Sequence, residues 1–184
     1  MTSRLFSVSL MVIALAFGLV DSQIISVTNG EVEGDWGPMD SCPGGSRAVY
    51  YATRNDANQG TDFTSLNAIQ LTCDNGGGSI ITSTEGLVGQ MGPGRGCAAG
   101  AFLSAFQLKV QPNGVDADNT AANSIRFRCT DGVELASVGN QIGVFGEYSA
   151  DCVNGICGIQ TRVKAFDPAT DNTALNDVRF ECCP

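Results

Sequence analysis

The chain of 184 residues contains no histidine and few basic side chains. Without an imidazole it cannot use Ser-His-Asp, Cys-His or histidine–metal chemistry. It has 10 Lys and Arg against 19 Asp and Glu, which gives a formal net charge of −9. An acidic chain without a basic cluster lacks the electrostatic footprint that binds nucleic acid or an anionic membrane. The sequence therefore predicts no nucleic acid and no membrane among its partners.

The chain has a single long apolar stretch, which covers residues 5–20 and follows Arg4. This stretch is short for a membrane-spanning helix, and no basic stop-transfer segment follows it. Val20-Asp21-Ser22 supplies small or β-branched residues at positions −3 and −1 of a cleavage point. We therefore interpret residues 1–22 as a secretory signal peptide. The mature chain is then a single soluble, extracellular domain over residues 23–184.

Helical periodicity is also missing, whereas glycine is abundant, with 23 residues. Asn-Gly turn signals occur at 29–30, 75–76, 113–114 and 154–155, and short runs of alternating apolar residues lie between the turns. This pattern predicts an all-β fold. No glycine-rich phosphate loop opens a helix, so the sequence predicts no nucleotide and no other cofactor.

Cysteine is plentiful, and all eight cysteines follow the predicted signal peptide. An even number of cysteines in a secreted chain predicts four disulfides. The closely spaced cysteines near the C-terminus could instead bind zinc. Disulfides are favoured because secreted thiols oxidise and no histidine is present, so no metal site is predicted.

A twelve-residue block that ends in cysteine occurs three times, at residues 62–73, 118–129 and 171–182. The copies are 56 and 53 residues apart at their final cysteines, which is a period typical of an internal repeat. Each copy begins with Asp-x-Thr, whose side-chain oxygens favour a turn, and continues with the strict alternation of a half-buried strand. An asparagine precedes each strand. We expect it to be a buried amide that bonds the turn backbone, and the alternative is a ring of three that faces a ligand. The three asparagines are Asn67, Asn123 and Asn176.

A second motif, Gly-x-(large apolar)-Gly, repeats with the same period around Trp36, Met91 and Phe145. Two glycines beside one large side chain favour a bend around a packed anchor, and only Trp36 could serve as a stacking platform for a sugar. Each repeat then holds about four short strands, and the repeats cover about 23–78, 79–132 and 133–184. One four-stranded sheet per repeat leaves an apolar face, which three sheets cover by facing a common axis. In this arrangement we expect three side chains to meet at the centre: Leu71, Phe127 and Phe180.

The cysteine spacing agrees with this arrangement, because two pairs bracket one repeat each. In the third repeat, register alone matches Cys152 with Cys182 and leaves Cys157 for Cys183. The exchanged pairing of these four cysteines stays open. The pairs in the first two repeats are Cys42–Cys73 and Cys97–Cys129.

Several of these segments resemble the vitelline membrane outer layer protein 1 family. The resemblance rests on Trp36-Gly37 before Cys42-Pro43, on residues 121–129, on residues 155–163 with Cys-Gly-Ile-Gln-Thr, and on residues 171–183 with the terminal Cys-Cys. It covers essentially the whole predicted mature chain. It implies a β-prism of three Greek-key, four-stranded sheets with pseudo-threefold symmetry. It also implies a secreted structural component of an extracellular coat, whose partners are coat or matrix glycoproteins and glycans.

The resemblance also implies an alternative function, which is the binding or transfer of N-acetyl-chitooligosaccharides, and the carboxylates near the glycine motifs would supply an acidic pocket for it. Glycosyl transfer needs two carboxylates within about 5–10 Å of each other. No catalytic residue is assigned, and the balance of the sequence is against an enzyme, because most carboxylates of an acidic chain only solvate its surface. The candidates for glycan binding lie near the glycine motifs, which the threefold arrangement would bring to one end of the prism. They are Glu31, Glu33, Asp35, Trp36, Glu85, Glu147 and Asp151.

Overall fold

The computed structural model describes residues 22–57, 63–114, 118–136 and 139–184. Three sequence features lie outside these ranges: the predicted signal peptide apart from Ser22, Asp62 of the first repeated block, and residues 137–138, which end one of the short runs of alternating apolar residues (133–138). The described residues form fourteen strands and one short 3-10 turn at Pro43–Gly45. The strands are β1 (Ile24–Ser26), β2 (Asp35–Trp36), β3 (Asp40–Ser41), β4 (Ala48–Asn55), β5 (Leu66–Cys73), β6 (Ile80–Thr82), β7 (Gln90–Met91), β8 (Arg95–Gly96), β9 (Leu103–Val110), β10 (Ala122–Cys129), β11 (Glu134–Leu135), β12 (Val144–Phe145), β13 (Ile156–Val163) and β14 (Leu175–Cys182).

The strands form three antiparallel sheets with the same internal order. Sheet II runs β6-β5-β4-β7, with β8 also on β4, and sheet III runs β11-β10-β9-β12. Three consecutive strands followed by a fourth that returns beside the first make a Greek key. Sheet I has the equivalent order β1-β14-β13-β2, with β3 also on β13, so the two ends of the chain complete it together.

The sheets are offset from the sequence repeats, so the expectation of one four-stranded sheet within each repeat is wrong in detail. Sheet II draws its strands from residues 48–96 and sheet III from residues 103–145, and sheets I and II each have five strands. The offset arises because a repeated block and the long strand before it form one hairpin. The glycine motif that completes the sheet comes later in the chain, across the repeat boundary.

The three sheets enclose one core around a common centre, as the sequence predicts. The rings of Phe127 and Phe180 lie 5.3 Å apart, and Phe106 lies 4.8 Å from Phe180. Leu71 of the remaining sheet is fully buried in the same cluster, and β5, β10 and β14 contact one another. Burial of side chains of this size stabilises the fold by about 1.5–3 kcal/mol each.

The asparagine of each repeated block is a buried amide that bonds turn backbone, as we expected. Asn176 donates to Thr173 Oγ1 at 2.8 Å and to the carbonyl of Ala174 at 3.0 Å, and Asn67 and Asn123 donate to the equivalent turns. These amides hold a left-handed backbone at the residue before each strand, where the φ angle is 52°, 45° and 49°. The three residues are Ser65, Ala121 and Ala174.

The aspartates that open the repeated blocks do more than form a local turn. Asp171 accepts the backbone N–H of Asn119 at 3.1 Å, and Asp118 accepts the backbone N–H of Phe63 at 3.0 Å. Each of these carboxylates therefore reaches the block of another repeat. The sequence predicted only that these aspartates bond nearby backbone within their own turn. It could not show this link, because residues more than 50 positions apart in sequence meet only when the three sheets close around the axis.

The glycine motifs occupy equivalent places in the three sheets, but their large side chains are not core anchors. Gly34 has a φ of 78°, and a Cβ there would lie 2.3 Å from the carbonyl of Val163, so only glycine fits. Trp36 is half-buried on the outer face of sheet I, with the guanidinium of Arg179 4.4 Å from its ring. Phe145 packs on Arg126 in the same way at 4.5 Å. Trp36 and Phe145 thus cover the polar outer face, because each belongs to a short edge strand.

Three disulfides link the sheets at one end of the prism. Each closes a loop of about 30 residues, a size for which a disulfide stabilises by about 3–4 kcal/mol. Cys157 and Cys183 are buried beside each other in hydrogen-bonding contact, and no disulfide joins them. The bonds join the pairs that the sequence matches by spacing and register: Cys42–Cys73, Cys97–Cys129 and Cys152–Cys182.

Candidate functional site

A cleft of about 270 Å³ opens between sheets I and II at one end of the prism. We call this end, where β4, β9 and β13 finish, the turn end, and the opposite end, with the disulfides, the cysteine end. The loop 84–88 between β6 and β7 forms one wall of the cleft, and residues 163–166, from the last residue of β13 onward, form the other. The repeated blocks contribute Thr64, Asn67, Asn172 and Ala174 to its floor.

The rim of the cleft is apolar and exposed. Leu87 is 81% exposed and Phe166 is 58% exposed, and Val88 lies beside Leu87. Apolar side chains in a concave site, with a few polar groups among them, are typical of places that bind small ligands.

Both charged side chains in the cleft are neutralised by neighbours. Glu85 pairs with Arg54 at 3.0 Å and also accepts hydrogen bonds from Gln70 and Thr82. Lys164 pairs with Glu33 at 2.7 Å, and its Nζ donates to the carbonyl of Asp171 at 2.8 Å. The cleft therefore offers fixed polar groups but little net charge.

The floor of the cleft contains a buried acceptor. Asn67 is fully buried, and its Oδ1 has no hydrogen-bond partner among the described residues. Gly86 of the loop lies close to this oxygen, because a Cβ built on Gly86 would lie 2.4 Å from it. Any residue other than glycine at position 86 would therefore need the loop or Asn67 to shift.

The structure brings part of the predicted set together at the turn end. Glu85 lines the cleft, Glu33 reaches its edge through Lys164, and the exposed Asp35 pairs in register with Val163 of the cleft wall. Glu31 lies at the same end but at the junction of sheets III and I, where it accepts the backbone N–H of Asn113 at 3.2 Å.

The other predicted residues lie away from the cleft. Trp36 covers the outer face of sheet I, and Glu147 is exposed beyond β12. Asp151 lies toward the cysteine end, where it pairs with Arg128 at 2.9 Å and accepts from Ser104. The bond from Arg128 lowers the pKa of Asp151. The predicted candidates therefore do not form one acidic pocket.

Sequence reasoning did not select several residues that shape the cleft, namely Gly86, Leu87, Lys164 and Phe166. One signal could have found Gly86. It stands three residues before the glycine of its motif, at a place where the other repeats have Glu31 and Asn140.

No three His, Cys, Asp or Glu side chains among the described ranges cluster as metal ligands. In the same ranges, no helix has the length and apolar character needed to span a bilayer.

The fold is that of the jacalin-related β-prism lectins. Calystegia sepium agglutinin superposes with a TM-score of 0.60, covering 88% of this chain and 97% of that one at 14% identity. A mannose-specific jacalin-related lectin from Morus nigra in complex with mannose superposes with a TM-score of 0.56, covering 93% of this chain and 100% of that one at 12% identity. A prostate-specific WGA16 glycoprotein lectin superposes with a TM-score of 0.57, covering 85% of this chain and 95% of that one at 11% identity. At these identities the likeness is one of fold.

Comparison of the sequence with known protein families assigns the chain to one family with greater precision than the fold does. Residues 23–184 match the profile of the vitelline membrane outer layer protein I family. A vitelline membrane outer layer protein 1 homolog from Mus musculus is 39% identical over 168 residues, which is 88% of this chain and 84% of that protein. The Homo sapiens homolog is 40% identical over 166 residues, 87% and 82% of the two chains. The chain therefore belongs to the vitelline membrane outer layer protein I family, and its family and disulfides are typical of extracellular proteins.

Proposed function

We propose that the chain is a secreted structural component of an extracellular coat, of the egg vitelline outer layer type, and that it binds glycans at its turn end. The observation that carries the glycan part is the cleft, where apolar side chains and charge-neutralised polar groups face the same small space. Sugars present both an apolar C–H face and hydroxyl groups, so they match such a surface.

The coat part of the proposal is supported by the way the prism is closed. A single shared core and three disulfides hold the three sheets together, and the two ends of the chain both belong to sheet I. A fold closed in this way resists local opening, since few segments can separate without disrupting the core. The expected partners are coat or matrix glycoproteins and their glycans.

Glycan binding is tested on the full chain, expressed with its own N-terminal segment in a secretory host and purified from the medium. The protein is applied to an array that contains chitin oligomers and mucin glycans, and hits are measured by titration calorimetry. We expect binding to at least one class. Absence of binding across both classes would remove glycan binding and leave the coat function alone. Recovery of a protein that begins at Gln23 would test secretion and cleavage in the same experiment.

Glycosyl transfer, the alternative from the sequence, is not favoured by the geometry. Glycosyl transfer needs two carboxylates that are free to act on the substrate. Glu85 and Glu33 are instead held in salt bridges with Arg54 at 3.0 Å and with Lys164 at 2.7 Å. Products released from chitin oligomers by the purified protein, and lost in Glu85→Gln, would overturn this conclusion.

A further inference from the structure

The three junctions between sheets have one position in common at the turn end. Glu31, Gly86 and Asn140 each stand three residues before the glycine of their motif. The backbone N–H of Glu31 donates to the carbonyl of Asn176 at 2.9 Å, and that of Gly86 donates to the carbonyl of Asn67 at 2.7 Å. Glu31 and Gly86 are therefore structurally equivalent, and Asn140 holds the same place in the sequence of its repeat.

Side chains at this position cross two of the junctions. Glu31 accepts the backbone N–H of Asn113, which links sheets I and III. Asn140 donates its Nδ2–H to Ser65 Oγ at 2.8 Å, which links sheets III and II. Gly86 has no side chain to cross the junction of sheets II and I, and the cleft lies at that junction.

The cleft suits an uncharged occupant. Its carboxylate and its ammonium group are each held by a partner of opposite sign, so an ionic ligand would have to break a pair to gain one. The chain as a whole has a net charge of −9 and repels anions. The cleft volume of about 270 Å³ lies just below the usual range of ligand sites, which is about 300–1,000 Å³. Such a space suits one sugar ring rather than a longer segment.

From these observations we infer that the protein has one glycan position where its symmetry would allow three, that Gly86 opens this position, and that it accepts a single neutral sugar residue. The inference rests on the proposed glycan binding and specifies its location and ligand class. Phe166 and Leu87 contact the apolar face of the ring, and the polar groups of the cleft contact its hydroxyls.

The test compares two probes by titration calorimetry with the full chain. N,N′,N″-triacetylchitotriose is the neutral probe, and a hyaluronan tetrasaccharide is the anionic probe, because it combines the same amino sugar with carboxylates. We expect one molecule of chitotriose per chain and binding of the hyaluronan fragment weaker by about tenfold or more.

Gly86→Asn, which copies the residue of the third repeat, should weaken chitotriose binding by about tenfold or more. Gly77→Asn is the matched control, since a side chain at Gly77 meets nothing within 4 Å. A Cβ at Gly86 approaches Asn67 closely, so folding of that variant is checked by thermal denaturation. Phe166→Ala gives a second test at an exposed side chain, with Val153→Ala at the cysteine end as its control.

Loss of chitotriose binding in Gly86→Asn and Phe166→Ala, with both controls unchanged, supports the inference. If Phe166→Ala and a folded Gly86→Asn bind as the parent does, the cleft is not the site, although glycan binding itself stands. If the hyaluronan fragment binds as tightly as chitotriose or more tightly, the inference that the cleft accepts a neutral sugar is overturned. If the parent binds neither probe, nor any glycan on the array, the glycan-binding part of the proposed function fails together with the inference, and the coat function stands alone.

Discussion

Asp177 in β14 is a half-buried carboxyl that packs beneath Gly30, so closely that a Cβ on Gly30 would overlap it. Burial raises the pKa of Asp177 to about 6, although the N–H of Val178 and the nearby arginines Arg162 and Arg179 favour its charged form. A carboxyl whose pKa is raised by folding binds its proton more tightly in the folded state. It therefore stabilises the fold most at low pH.

We predict that the contribution of Asp177 to the free energy of unfolding is fully present below pH 4 and is lost as the pH rises to about 6. The loss should be roughly 1–2 kcal/mol, allowing for the part of the carboxyl that stays in contact with water. Asp177→Asn should flatten this part of the pH profile. The measurement is urea unfolding at intervals from pH 3.5 to 7. A variant with the same pH dependence as the parent would contradict the assignment.

Cys157 and Cys183 are two buried thiols that lie in contact, in a protein whose other six cysteines form three disulfides. Burial raises the pKa of both thiols, so neither is a reactive thiolate. In an oxidising compartment, neighbouring cysteines are expected to join.

We predict that the protein purified from medium contains a fourth disulfide, Cys157–Cys183. The chain is unfolded without reductant, treated with a maleimide and weighed by mass spectrometry. No added label is expected, whereas a reduced sample should carry eight labels. Two labels without reductant would show that this pair stays free.

At the scale of the elements, three long hairpins are linked by the aspartates that open the repeated blocks. Asp171 accepts both the backbone and the side-chain N–H of Asn119 and so ties sheet I to sheet III. Hydrogen bonds to a charged acceptor typically contribute about 1.5–3 kcal/mol.

Asp171→Ala should therefore lower the free energy of unfolding by about 1.5–3 kcal/mol, measured by urea denaturation at pH 7. Asp131→Ala is the control, since its carboxylate bonds only the nearby N–H of Val133 in an exposed turn. That control should cost about 1 kcal/mol or less. An equal, small effect of both changes would mean that the link between blocks adds no more than a local turn does.

At the scale of the whole molecule, the three sheets share one core, and no sheet covers its own apolar face. Phe180 is fully buried between Phe106 and Phe127, which belong to another sheet. A core of this kind makes the sheets unfold together, because removal of one exposes the other two.

Phe180→Ala should cost about 3–5 kcal/mol, through lost burial and the cavity that remains. Unfolding monitored by fluorescence and by far-ultraviolet circular dichroism should still show one coincident transition. Phe166→Ala, at a largely exposed ring, should change the stability by about 0.5 kcal/mol or less. Two separate transitions in either protein would show that the sheets are independent units.

The all-β class, the alternating strands of the repeated blocks and the meeting of Leu71, Phe127 and Phe180 could be predicted from the sequence. Each depends on periodicity within one segment, or on a repeat that presents the same apolar face three times. The buried role of the asparagines followed for the same reason, since their partners lie two or three residues away.

The candidate site could be predicted only in part. Sequence reasoning placed Glu33 and Glu85 near the turn end, but it did not foresee that Lys164 and Arg54 neutralise them or that Trp36 covers an outer face. These partners are far from one another in the chain and meet only when the prism closes.

The sequence by itself determined the repeated unit, its strand periodicity and its buried face, because these depend on local backbone geometry and side-chain alternation. Only the tertiary structure decided which strands share a sheet, how the two chain ends complete sheet I and where the cleft opens. Those features depend on contacts between residues 50 to more than 120 positions apart. The role of Gly86 is visible only in the tertiary structure, where Glu31 and Asn140 cross the other two junctions and Gly86 leaves the third without a crossing side chain.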